Sequence, residues 1–509
     1  MNAICTELTP AERELIQAGR LFNADLAPVR AADRKWRAGS FAALWISMSA
    51  CIPTYMLASS LISGGMNWWQ AVITIFLGNL IVLVPMILNA HAGTRYGIPF
   101  PVYCRASFGT SGANVPALLR ALVACGWFGI QTWIGGSAIY KILCIFFPAF
   151  GSGAPLPWGI NTAQTLCFLL FWAVNMAVVY KGINCIRWLL NIKAPLLIAL
   201  GLLLLAWAFR HAHGFGPMLS QPSAFSAGQP KAGQFWSFFF PALTGMIGYW
   251  ATLSLNIPDF SRYAVSQKDQ VLGQALGLPL TMALYSFIGV AVTSATKIIY
   301  GETLWDPVDV LTRFTNPVVL VIAMLALCIA TLATNIAANV VSPANDFAHF
   351  SPRLISFRTG GCITGILGIV MMPWKLMADA GKYINWLISY SALLGPIGGI
   401  LIADYFIWRR RRLNLSALYQ PDGEYRFHGG FSFVALISLL LGVAPSIPGF
   451  LVQVKILGPE AVAPFVLSLY NYAWFTGFAV AFVAYLIGRK LAPLPSPKPA
   501  TPEPETAMR

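Results

Sequence analysis

A chain of 509 residues that is 57% hydrophobic and only 10% charged does not have the composition of a water-soluble domain. Its mean hydropathy is +0.67, and apolar stretches recur at about the ~20 residues that a helix needs to cross a bilayer. The net charge of +15 is concentrated on one side of the alternating spans, so it marks topology and argues against a nucleic-acid surface.

In chain order, residues 1–40 read as a polar cytoplasmic arm with Arg13, Arg20, Arg30, Arg34, Lys35 and Arg37, followed by an uncleaved first span. Twelve spans are predicted near 41–63, 66–90, 113–145, 162–182, 186–209, 234–257, 270–299, 316–345, 358–377, 382–407, 430–452 and 465–487. Backbone groups inside lipid need internal partners, so these spans should be helices. The ten-residue alternation of a membrane β-barrel is missing. Residues 408–428 form a basic loop with Arg409 to Arg412, and residues 491–509 a Pro-rich tail expected to be disordered. Both termini are assigned to the cytoplasmic side of the plasma membrane.

Several segments carry candidate chemistry. In the first span, Pro53 within Ser47-Met48-Ser49-Ala50-Cys51-Ile52-Pro53-Thr54 must free a backbone carbonyl. In the third, Gly126-Trp127-Phe128-Gly129-Ile130-Gln131 sets an indole and a primary amide one turn apart on one helix face. That pairing suits a flat, uncharged ring with N–H and C=O groups, or simple helix packing. Lys193, inside the fifth span, is either a functional ammonium or a side chain snorkelling to the interface. The sixth span is interrupted twice, at Gly245-Met246-Ile247-Gly248-Tyr249-Trp250 and at Asn256-Ile257-Pro258-Asp259. Breaks in spans one and six occupy matching places if five-helix halves repeat, and such breaks point to a site near the membrane midplane. The eighth span places Thr331, Thr334, Asn335 and Asn339 mostly on one side, as cavity-facing groups or interhelical glue. Nine scattered cysteines and five dispersed histidines show neither disulfide nor zinc spacing.

Taken together, these residues resemble the nucleobase:cation symporter-1 family over nearly the whole chain. The resemblance rests on Asn23-Ala24-Asp25-Leu26-Ala27-Pro28, Tyr96-Gly97-Ile98-Pro99-Phe100 and Arg105-Ala106-Ser107-Phe108-Gly109. It continues through the Trp127–Gln131 stretch, Asn256 to Tyr263, Thr334 to Asn339, Met371 to Lys375 and Ala403-Asp404-Tyr405-Phe406. It implies an all-α polytopic membrane fold. A five-plus-five inverted repeat (residues 41–209 and 234–407) of leucine-transporter type would be followed by two C-terminal helices (430–487). It also implies alternating access and cation-coupled uptake of a nucleobase, ureide or hydantoin. By that resemblance Trp127 and Trp250 sandwich the ring, and Gln131 and Asn339 contact it. Cys51 stands where the sodium-hydantoin member has a Gln. The sodium ligands map to the carbonyls of Ser47, Ala50 and Ala330 and to hydroxyl positions occupied here by Ala333 and Thr334. One hydroxyl is therefore lost, and the extra Lys193 ammonium favours protons over sodium as the coupling ion. No further cofactor and no protein partner is implied.

The expectation is a secondary active transporter for a nitrogen heterocycle. The rival classes, an intramembrane enzyme or a channel, need a catalytic constellation or a continuous polar lining, and neither can be read in the chain.

Overall fold

The computed structural model describes residues 6–181 and 183–493, without the side chains of 183–194 and 357. Each of the twelve predicted spans is helical. Among the described residues, eight helices are long and apolar enough to cross a bilayer, and the bent pair Ala38–Ser49 and Ile52–Gly64 makes a ninth. The others meet the fifth, sixth and ninth predictions at Ile183–His211, Phe235–Asn256 and Phe357–Val370. No strand occurs among the described residues.

The helix interruptions fall where the sequence places them. The first span bends by 60° between its two helices. Cys51 is extended there, with φ −152° and ψ 159°. Pro53 has no N–H to continue the ladder, so the last carbonyls of the first half lose their usual donors. The sixth span runs as helix from Phe235 to Tyr249, breaks at Trp250, and resumes over Ala251–Asn256. Asn89 of the second span donates to the Ser254 carbonyl at 2.8 Å, and Asp259 accepts from the Phe100 N–H at 2.8 Å. The first bond satisfies a carbonyl that Pro258, having no N–H, leaves without its helical donor, and the second satisfies the free first N–H of helix Phe100–Phe108. A further joint, which the sequence reading does not anticipate, lies at Val340, between helices Pro317–Asn339 and Val341–Phe350 of the eighth span.

Between them, the breaks are held close to the tenth span, Ala380–Ile402. Gly248 packs so tightly there that a Cβ on it would sit 2.6 Å from the Leu387 carbonyl oxygen. The Tyr383 hydroxyl donates to the Pro53 carbonyl at 3.1 Å. One continuous apolar core joins the spans and includes Trp127, Trp250 and Ala330.

The N-terminal arm and the basic 408–428 loop are more ordered than their charge implies. The arm is folded onto the bundle: Ile16 and Leu26 are buried, and the Val29 N–H donates to the Gly97 carbonyl at 2.9 Å. Arg409, read as part of a basic loop, is instead drawn inward. Its Nε lies 2.9 Å from Asp404, and a second nitrogen lies 3.0 Å from Glu424. The tail beyond residue 493 lies outside the described residues.

Candidate substrate and cation site

Five predicted substrate-site residues meet. Cys51, Trp127, Gln131, Trp250 and Asn339 line one pocket, together with Met48, Tyr249, Thr252, Leu253, Thr334 and Ala338. The contributing spans are the first, third, sixth and eighth, and the two broken spans contribute at their breaks. The cavity between these side chains is about 30 Å³, room for roughly a water or two.

The polar groups there divide into tethered and untethered ones. The Trp127 Nε1 donates to Tyr390 Oη at 3.2 Å, and Tyr390 in turn donates to the Gly248 carbonyl at 2.8 Å. The third-span indole is thus oriented by the tenth span and referred to the sixth. Asn335 donates to the Phe128 carbonyl, Thr132 and Asn175, each at 3.1 Å, and is fully buried. It is interhelical glue, which was the packing alternative for that residue. Asn339 donates its amide nitrogen to Asn335 Oδ1 at 3.1 Å. Its own carbonyl oxygen therefore remains for the pocket it lines. Gln131 is buried, and its Oε1 has no partner among the described residues. Trp250 Nε1 is also buried without one. A buried polar group left unpaired costs about 1–3 kcal/mol, so two in one pocket mark a place built to receive complementary groups.

Tyr249 is the residue that sequence reasoning misses. Its ring stands edge-on to Trp127 at 5.3 Å and to Trp250 at 4.9 Å. Its hydroxyl lies 2.9 Å from Thr54 Oγ1 and 3.2 Å from Cys51 Sγ. Cys51 thus belongs to a hydroxyl–thiol cluster linking the broken spans. Tyr390 and Tyr383 are also unforeseen. Seven residues apart, they share one face of an otherwise apolar helix, which was the available signal.

At the cation position, Ala50, Ala330, Ala333 and Thr334 are buried and Ser47 is half-buried. Thr334 Oγ1 donates to the Ala330 carbonyl at 2.9 Å, so the two proposed eighth-span ligands adjoin. Thr334 also lines the substrate pocket with Met48 and Cys51 of the first-span break. Thr331 Oγ1, one turn before Thr334, is buried and has no partner among the described residues. Lys193 lies in helix Ile183–His211, but its side chain falls outside the described residues.

This bundle, with paired mid-helix breaks around a small polar pocket, is that of an integral-membrane secondary transporter. The chain belongs to the family of permeases for cytosine/purines, uracil, thiamine and allantoin, whose family model matches residues 28–477. It is 44% identical to the purine-uracil permease NCS1 of Arabidopsis thaliana, over 94% of this chain and 80% of that protein. It is 40% identical to the allantoin permease of Bacillus subtilis, over 94% and 95% respectively. In three dimensions it matches Mhp1, a nucleobase-cation-symport-1 family transporter, in a closed conformation with bromovinylhydantoin bound. That match has a TM-score of 0.74 at 27% identity and covers 94% of this chain and 98% of the other. The inward-facing conformation of Mhp1 gives 0.75 at 26% identity, covering 93% and 94%. The all-α polytopic membrane fold and the transporter class expected from the sequence are therefore established. The relatives are permeases, which removes the enzyme alternative.

Proposed function

We propose that this protein imports a cyclic ureide or a nucleobase carrying the –NH–CO–NH– unit across the plasma membrane, with both termini in the cytoplasm. The observation that carries this reading is the set of untethered groups in the pocket. Gln131 offers an amide with a free acceptor, Asn339 a carbonyl oxygen and Trp250 an N–H. Two acceptors and a donor complement two ring N–H groups flanking a C=O. A site that hydrogen-bonds such groups rejects analogues lacking them far better than an apolar slot does. The indoles of Trp127 and Trp250 supply stacking surface for the ring. Allantoin, uracil and hydantoin all contain the unit, in line with the substrates named for the relatives.

Coupling to a cation falls at the junction of the first-span break with Thr334 and Ala330. The lost hydroxyl at Ala333 and the presence of Lys193 favour protons over sodium as the driving ion, because an ammonium can satisfy carbonyl dipoles and exchange a proton when burial lowers its pKa. Uptake of labelled allantoin, uracil and hypoxanthine into proteoliposomes tests the reading. Saturable accumulation of allantoin or uracil, in preference to hypoxanthine, which lacks the –NH–CO–NH– unit, above the external concentration and only with an ion gradient, is expected. Failure of both allantoin and uracil to bind or accumulate would overturn it.

A further inference from the structure

On the twelfth span, helix Ala473–Leu491, the residues Val483, Leu486, Ile487 and Lys490 recur at three- and four-residue steps and form one stripe. Opposite this stripe the tenth span ends in a π-helical turn, Ala403–Trp408. Ile407, Trp408 and Arg410 close a groove of about 630 Å³ against the stripe. Its wall faces outward: Ile407 is 55% exposed, Val483 51% and Ile487 53%.

The charges at the end of this groove are sorted. Arg409 is held by Asp404 and Glu424, and Arg489 by Tyr485 and Ser432. Their chain neighbours Arg410 and Lys490 line the groove, and their side chains have no hydrogen bond or ion pair among the described residues. Arg410 and Arg411 also adopt left-handed backbone, with φ of 49° and 64°. Side-chain-bearing residues rarely do so unless their surroundings enforce it. Here the π-turn enforces it, through the Arg411 N–H donating to the Tyr405 carbonyl at 2.7 Å.

We propose that this groove is a binding site for an anionic phospholipid of the cytoplasmic leaflet. The acyl chain lies along Ile407, Val483, Leu486 and Ile487, the phosphate sits between Arg410 and Lys490, and Trp408 stands at headgroup level. An apolar wall ending in two unneutralised cations complements a lipid whose tail is apolar and whose head is an anion. Anionic lipids populate the leaflet that the basic end of these spans faces, and Trp favours that depth. The site is remote from the substrate pocket and does not depend on which solute is carried. The rival occupant is the chain's own tail beyond residue 493. It contains Glu503 and Glu505 but is Pro-rich, and its large apolar residues are Leu494 and Met508, too few and too far apart to fill the apolar wall.

Full-length protein in detergent, offered an equimolar mixture of phosphatidylglycerol and phosphatidylcholine, tests the site by native mass spectrometry. Wild type should retain phosphatidylglycerol preferentially. The exchange R410Q should weaken that retention on the order of fivefold, and K490Q likewise. K268Q, which removes an exposed charge elsewhere, should not. Substrate binding, unchanged in R410Q and K490Q, verifies their fold. Retention by the R410Q/K490Q double variant equal to wild type would overturn the site. Truncation after residue 493 should leave retention unchanged, and a several-fold gain on truncation would assign the groove to the tail instead.

Discussion

Trp127 donates its indole N–H to Tyr390, so the ring expected to stack on substrate is aimed by a residue of a different span. The aim and the stacking surface can therefore be separated by mutation. Trp127→Ala and Trp250→Ala should each weaken substrate binding by roughly 1–3 kcal/mol, as stacked bases do when their aromatic platform is lost. Tyr390→Phe keeps every ring in place and removes both hydrogen bonds of the hydroxyl, the one from Trp127 and the one to the Gly248 carbonyl, so its cost should be about 1–2 kcal/mol. Equilibrium binding by scintillation proximity measures all three. Wild-type affinity in both Ala variants would exclude the indole platform.

The two amides act on selectivity as well as affinity. Gln131→Leu or Asn339→Leu leaves a ligand N–H or C=O facing a hydrocarbon, a loss of about 1–3 kcal/mol. The order of preference among uracil, allantoin and hypoxanthine should change with it. Competition curves give the ranking. An unaltered ranking with unaltered affinities would reduce both residues to packing elements. Asn335→Ala makes a contrasting case: it removes three interhelical bonds and should lower thermal stability as well as binding.

Coupling is tested by imposing gradients one at a time. In proteoliposomes, accumulation should follow a proton gradient more than a sodium gradient. Lys193→Ala should abolish pH-driven accumulation while binding survives in part. Thr334→Ala removes the hydroxyl that bonds the Ala330 carbonyl and should impair concentrative uptake more than exchange. Strict sodium dependence with a wild-type-like Lys193→Ala would return the coupling role to the carbonyls and Thr334.

A pH effect is expected from the loop that joins the seventh and eighth spans. Asp306 caps the short helix Pro307–Leu311 by accepting from the Val308 N–H at 2.8 Å. Burial and, next, the nearby Asp309 carboxylate push its pKa up from 3.8 to about 7. The native state thus holds a proton that the unfolded chain releases above the ordinary carboxylate range. The stability this contributes falls as pH rises from about 4 to about 7 and levels off above. Asp306→Asn retains the cap and should flatten the profile. Melting temperatures of both proteins between pH 5 and 8 make the comparison, and parallel slopes would show that Asp306 is not responsible.

Much of this architecture was legible in the chain because membrane helices announce themselves by apolar length, and Pro53 and Pro258 announce breaks by lacking an N–H. Trp127, Gln131, Trp250 and Asn339 stood out because polar or amphipathic groups deep in an apolar span need a reason. Tyr249 did not, since only its three-dimensional placement against Cys51 and Thr54 distinguishes it from any interfacial tyrosine. Arg409 was misjudged for the opposite reason. A count of charges along a loop cannot see that Asp404, on the preceding helix, neutralises one of them. The joint at Val340 had a signal too, in Pro343, whose missing N–H leaves the Asn339 carbonyl without its helical donor.

The cavity of about 30 Å³ is smaller than any ring the site is proposed to hold, so admission of a solute requires its lining to open, and the Tyr249 ring stands against both indoles of that lining. That ring is tied through Thr54 and Cys51 to the first-span break, whose Ser47 and Ala50 carbonyls are the candidate ion ligands. Ion and solute then share one conformational equilibrium. Each must raise the other's affinity by the same factor, and the transported molecule spends part of its contact energy on opening its own seat.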